Sequence, residues 1–182
     1  MFTANEIVMT TVLVAAMLYA SWSDYRHHRV PNWFNATLAI LGITFHMMCG
    51  HNLATPLLGM ATGFAALFGM WCLRMMGAGD VKYMAALGAW LGPKLTLYAF
   101  CAGGILGGLW ALASIVRRGA WGTTSTNLGV VMVKLGSWKN AFSEMGSYAN
   151  LSGKAGVLPY AVPLSLGTMC VLVLEQIGWW VS

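Results

Sequence analysis

Residues 77–92 read GAGDVKYMAALGAWLG, an apolar run opened by two spaced glycines and a carboxylate. From Val81 to Gly92 the run holds twelve residues. A helix rising about 1.5 Å per residue would span roughly 18 Å there, short of a ~30 Å hydrocarbon core. A helix begun near Met75 closes the gap and carries Asp80 into the membrane's edge. Asp80 is one of only two aspartates in the chain; the other is Asp24. An ionisable group inside a bilayer costs about 2.5–3.5 kcal/mol on insertion scales, so its placement points to a function.

The 182 residues are 58% hydrophobic and 8% charged. Soluble domains carry about 25% charged residues, so this chain has too few to coat a water-facing surface. Its apolar residues come in long runs, which can be drawn as six spans: Ile7–Trp22, Trp33–Cys49, Leu53–Leu73, Val81–Gly92, Leu95–Val116 and Val157–Val181. The expected fold is all-α: a polytopic membrane helical bundle of about six transmembrane helices, the fourth short, in a single domain over 1–182. The start, MFTANEIVMT, lacks a basic region and carries Glu6, so the first span reads as a retained helix and not a signal peptide.

The net charge of +5 would point to nucleic acid in a soluble protein. Here the basic residues lie in short loops and are explained by orientation, so no nucleic-acid partner is expected. Arg26 and Arg29 follow span one; Arg74 and Lys82 flank the junction of spans three and four. Arg117, Arg118, Lys134, Lys139 and Lys154 lie between spans five and six, and only Lys94 falls on the other side. The positive-inside rule then puts loops one, three and five in the cytoplasm and both termini outside it. Asp24 closes span one and Asp80 opens span four, so both carboxylates fall at the cytoplasmic end. The expected location is a membrane, with the lipid bilayer as surroundings.

Residues 119–156 form the one long polar connection. Within it Leu128, Val131, Met132, Leu135, Trp138, Phe142 and Met145 recur at helical spacing, predicting a cytoplasmic amphipathic helix on the membrane surface. In span five, GGILGG sets Gly103 against Gly107 and Gly104 against Gly108, a spacing for close helix packing.

Two neighbouring carboxylates repel when both are ionised, so such a pair tends to share one proton. The ionised member can take a proton from water while the protonated member polarises a carbonyl, which is what peptide hydrolysis requires. Gly77 and Gly79 would let an extended peptide approach beside Asp80, and Lys82 could snorkel to the surface or tune the pair's charge. Plainer roles exist: Asp80 as a helix cap, and Asp24 as a partner of Arg26 or Arg29. Adjacent His27 and His28 diverge and cannot share a metal. Cys49, Cys72, Cys101 and Cys170 stand singly in apolar segments, so neither a metal site nor a cofactor is expected.

SDYRHHRVPNW (23–33), GAGDVKYMAALGAWLG (77–92) and LPYAVPLSLG (158–167) together resemble the type IV prepilin peptidases, in order and spacing over nearly the whole chain. The resemblance implies a GxGD intramembrane aspartyl protease with Asp24 and Asp80 catalytic. Pro31 and Asn32 would form the turn into the second helix. The implied substrate is a prepilin, cut between its basic leader and its hydrophobic helix. The chain lacks the cysteine-rich segment and extra length of larger members, so it looks like the short Flp/Tad-pilus type, without N-methylation. Rival readings are a signal-peptide-peptidase-like protease, in which a Tyr-Asp pair stands mid-helix, and a non-enzymatic scaffold or transport subunit.

Overall fold

The computed structural model describes residues 4–27, 29–50, 52–72, 76–118 and 160–177. They form five helices: α1 (Ala4–His27), α2 (Asn32–Met48), α3 (Ala54–Cys72), α4 (Ala78–Arg118) and α5 (Ala161–Gln176). Three stretches are long and apolar enough to cross a membrane: Asn5–His27, Ala54–Cys72 and Ala78–Ser114; α5 is a shorter apolar helix. The chain divides into two compact units, Met1–Gly107 with Pro159–Ser182, and Gly108–Leu158. Among described residues the second unit holds the end of α4, while the amphipathic helix expected within 119–156 lies outside them.

α4 is not one straight rod. Its 37-residue apolar stretch would measure about 55 Å, nearly twice a ~30 Å hydrocarbon core. Gly92 interrupts it with φ 72° and ψ 175°, a left-handed backbone that glycine adopts without steric cost, and Pro93 follows. In a straight helix Tyr83 and Gly103 would stand about 30 Å apart. Yet Tyr83 Oη lies 2.8 Å from Ser165 Oγ, and a Cβ at Gly103 would stand 3.1 Å from Leu164 Cα. Both therefore reach one turn of α5, and the arms 78–91 and 93–107 fold back on each other at Gly92. The spans read from the sequence as Val81–Gly92 and Leu95–Val116 lie on either side of this turn.

The boundaries differ from expectation in two instructive places. The first arm starts at Ala78 and not near Met75, because Met76 and Gly77 are non-helical and the Asp80 N–H donates to Gly77 O at 3.2 Å. α1 continues past Trp22 to His27, so Asp24 lies inside its last turns instead of closing the helix.

The first arm of α4 is the centre of the bundle. Val81, Tyr83, Met84, Ala86, Leu87, Ala89 and Trp90 are all buried. α3 runs antiparallel to it: Thr55 meets Gly92, the backbones of Gly59 and Gly88 touch, and Gly63 packs on Met84 O. α2 runs parallel to it, with Trp90 Nε1 donating to Leu38 O at 2.8 Å and the Trp90 ring stacked 5.3 Å from Phe45. α5 lies antiparallel to α1, linked by Ala161 to Asp24 at one end and by Gln176 Nε2 to Thr10 Oγ1 (3.2 Å) at the other.

Of the GGILGG glycines, Gly103 and Gly107 pack against Leu164 and Pro163, while among the described residues nothing stands within 4 Å of a side chain placed at Gly104 or Gly108. Half of the expected glycine pairing is thus realised, on the face that α5 covers.

The distribution of polarity is that of a membrane protein. Leu18, Ile40, Leu41, Leu57, Leu58, Ile105 and Leu109 are exposed, while Ser23, Asp24, Asn35, His46, Ser165 and Thr168 are buried. Thr11, Thr37, Thr44, Thr62, Thr96 and Thr168 return their hydroxyls to the carbonyl four residues back, so no donor is offered to hydrocarbon.

Candidate active site

The alternating direction of the helices brings four ends together: the C-terminal turns of α1 and the N-termini of α2, α4 and α5. All seven residues singled out in the sequence lie at this end. Asp24 comes from α1 and is 5% exposed. The N–H of Ala161, first residue of α5, donates to Asp24 Oδ2 at 2.9 Å. Asp24 thus occupies the place of a cap for α5, where unpaired amides favour a carboxylate. This bond links Asp24 to a helix 137 residues further along the chain.

Asp80 lies in the first turn of α4, half-buried and close enough to Asp24 for the two carboxylates to interact electrostatically. Its Oδ2 lies 3.3 Å from the position a Cβ would take at Gly77. The capping role and the proximity to Asp24 therefore coexist. The Tyr160 side chain, just before the amide that holds Asp24, is in turn within electrostatic reach of Asp80.

The two glycines have different surroundings. Gly77 is exposed, and Asp80 is the side chain beside it, so its open face admits another backbone. Gly79 packs on the α1–α2 connection instead: a Cβ there would stand 3.4 Å from Val30 O and 3.7 Å from Val30 N. Val30 itself is buried. Gly79 therefore serves the joint between the aspartate-bearing helix and the turn after Asp24.

That turn is built by residues the sequence marks only in part. Pro31, at φ −61° and ψ 139°, is the N-cap of α2, and its carbonyl accepts the Asn35 N–H at 3.2 Å. Ser23 Oγ donates to Arg29 O at 2.9 Å and closes the turn from the α1 side. Asn32 Oδ1 accepts Lys82 Nζ at 3.0 Å, so Lys82 ties α4 to the head of α2 at the exposed rim.

Asn35 escaped the sequence reading. It is 3% exposed, its Nδ2 donates to Gly79 O at 3.2 Å, and Oδ1 is buried without a hydrogen-bond partner among the described residues. Its spacing from Pro31, one helical turn, places it on the face of α2 that meets α4. Asn35→Ala is expected to destabilise the protein by about 1–3 kcal/mol, since it cuts a buried polar link to the residue before Asp80. Thermal melting in detergent checks this; an unchanged melting temperature would remove Asn35 from the joint.

Asp24 and Asp80 thus stand at one end of the bundle, on helices held by polar joints, and carboxylates are among the groups that serve as general acids and bases. The model of the type IV leader peptidase family matches residues 11–112, a stretch that includes both aspartates. A prepilin leader peptidase/N-methyltransferase of Xanthomonas campestris is 36% identical over 121 residues, covering 60% of this chain and 41% of that protein. The leader peptidase HopD of Salmonella typhimurium is 34% identical over 124 residues, 60% of this chain and 80% of its own. HopD of Escherichia coli is 33% identical over 123 residues, 56% of this chain and 78% of its own. The chain thus spans about two fifths of the larger relative and about four fifths of the smaller ones. No solved structure gives a significant match. With more than half of its length matched by the family model, both aspartates included, the chain belongs to the type IV leader peptidase family.

Proposed function

We propose that this chain is a prepilin leader peptidase of the aspartic type, with Asp24 and Asp80 as its catalytic pair. The observation that carries the reading is their convergence: the chain's two aspartates, from helices far apart in sequence, interact at one end of the bundle. The names of the relatives supply the substrate class. In the proposed reaction one carboxylate, ionised, takes a proton from a water whose oxygen adds to the scissile carbonyl. The other, protonated, hydrogen-bonds the carbonyl oxygen as charge develops there. Collapse of the tetrahedral intermediate breaks the C–N bond, and the departing amine leaves with a proton from the pair. The Ala161 N–H fixes the plane of the Asp24 carboxylate, and the open backbone at Gly77 gives an extended substrate room beside Asp80.

The reading calls for neither a metal nor a cofactor. The preference for Flp-type prepilins rests on the resemblance of the motifs. Co-expression with a prepilin tests the activity itself: the leader should be removed only when the chain is present, and unprocessed prepilin would overturn the proposal.

The same architecture supports a proposed membrane arrangement. The fold-back at Gly92 turns α4 into two crossings, and with α1, α2, α3 and α5 this supports six passes, the site facing the cytoplasm. Arg26, Arg29 and Lys82 lie at the site's end of the bundle, whereas Lys94 follows the turn at Gly92, as the positive-inside rule requires. Reporter tags at both termini are expected to read outside the cytoplasm; a cytoplasmic C-terminus would break the six-pass arrangement.

A further inference from the structure

Tyr83 is wholly buried, yet its hydroxyl lies 2.8 Å from Ser165 Oγ, which is itself 6% exposed. Both residues are buried, and one hydroxyl donates to the other. A Phe and an Ala would fill the same space without any polar atom, so packing alone does not call for this pair. A directional bond does what apolar contact between smooth helices cannot: it fixes how far one helix slides or rotates past the next.

The position of the bond gives that constraint a purpose. Tyr83 follows Asp80 by three residues on α4, which puts the two on one face a turn apart. Ser165 follows Ala161 by four residues on α5, again a turn apart on one face. Ala161 is the residue whose N–H holds Asp24 Oδ2. α5 therefore touches both partners of the proposed dyad: Asp24 directly through Ala161, and Asp80 indirectly through Ser165 and Tyr83. Pro163, between the two contacts, is buried in the first turn of α5.

We propose that α5 is a strut between the two aspartates and that the Tyr83–Ser165 hydrogen bond sets their separation, making Tyr83 and Ser165 positioning residues for the hydrolysis. The proposal rests on the dyad reading given above. It concerns the spacing of the carboxylates, and neither Tyr83 nor Ser165 touches the substrate.

The test uses the full chain, purified in detergent, acting on a prepilin, with Tyr83→Phe, Ser165→Ala and the double variant. Each single variant should lower kcat by about tenfold or more, the scale of a small misplacement of reacting groups. KM should stay within about twofold, because substrate contacts are intact. The double variant should be no slower than the slower single, since both remove one bond. A wild-type kcat in both singles would overturn the strut, and so would losses that multiply in the double. Should Tyr83→Phe fail to accumulate in the membrane, Ser165→Ala alone decides through its kcat. Asp24→Asn and Asp80→Asn run alongside: normal cleavage by either sinks the dyad itself. If both are inactive while the strut variants turn over normally, only the strut fails.

Discussion

Asp24→Asn and Asp80→Asn are each expected to abolish prepilin processing while leaving the protein folded in the membrane. General acid–base groups contribute about 10²–10⁴-fold to rate, and a dyad that has lost one member cannot complete the proton cycle with the other. The double variant should therefore be no worse than either single, as for residues that act as a unit. Folding should survive because asparagine is nearly isosteric. Its side-chain oxygen at position 24 can still accept the Ala161 N–H, and position 80 keeps its backbone bond to Gly77. A gel shift between precursor and mature prepilin, with the membrane level of each variant as control, reads both halves of the expectation. Residual processing near the wild-type rate in either variant would leave the carboxylates with a capping role only.

The second large effect is structural. Gly59→Val or Gly88→Val should prevent accumulation of the folded protein. A Cβ at Gly59 would fall on the carbonyl of Gly88, and a Cβ at Gly88 on the carbonyl of Gly59. Overpacking typically costs about 1–3 kcal/mol when side chains can yield. Here the obstacle on each side is backbone, so α3 and the first arm of α4 must separate. That arm also carries Asp80, and any variant that survives should be catalytically impaired. Gly69→Ala and Gly104→Ala are the matching controls, because among the described residues nothing stands within 4 Å of a side chain at either place. They should be neutral or stabilising by roughly 0.5–1 kcal/mol, the usual gain of alanine over glycine inside a helix. Membrane levels of the four variants, with thermal melts of those that accumulate, separate the two classes. Equal stability of Gly59→Val and Gly69→Ala would contradict the close approach of α3 and α4.

The helices themselves were legible because a bilayer leaves the backbone few choices. Long apolar runs must satisfy every amide internally, so they become helices whatever their neighbours. The break at Gly92-Pro93 falls where one span was ended at Gly92 and the next begun at Leu95; its cause, φ 72° at Gly92 followed by a proline without an N–H, came from the structure. The common end for Asp24 and Asp80 followed from loop charges. Helix rotation was not legible. In a soluble protein an apolar stripe reveals the buried face, but here lipid and core are both apolar and the stripe fades. That is why Gly103 could not be told from Gly104, nor the open Gly77 from the packed Gly79. It is also why Asn35, Tyr83, Ser165 and the Ala161 amide were missed: each acts through one long-range contact that local spacing does not encode. The start of α4 was placed too early for a related reason. Span length alone asked for more residues, whereas Gly77 and the first-turn bonding of Asp80 decide where the helix begins.

Whether Asp24 and Asp80 meet can be measured by cross-linking, without relying on activity. Cys49, Cys72, Cys101 and Cys170 would first be replaced by alanine, and Asp24→Cys and Asp80→Cys introduced together. Asn32→Cys with Lys82→Cys, whose native side chains touch at 3.0 Å, provides the positive control. A protease site placed in the α2–α3 connection then reports whether the two halves stay joined. A short thiol-specific cross-linker should hold the Asp24→Cys/Asp80→Cys halves together as efficiently as the control pair. Halves that separate under conditions that join the control would show that the two carboxylates stand apart, and the proposed dyad would fall.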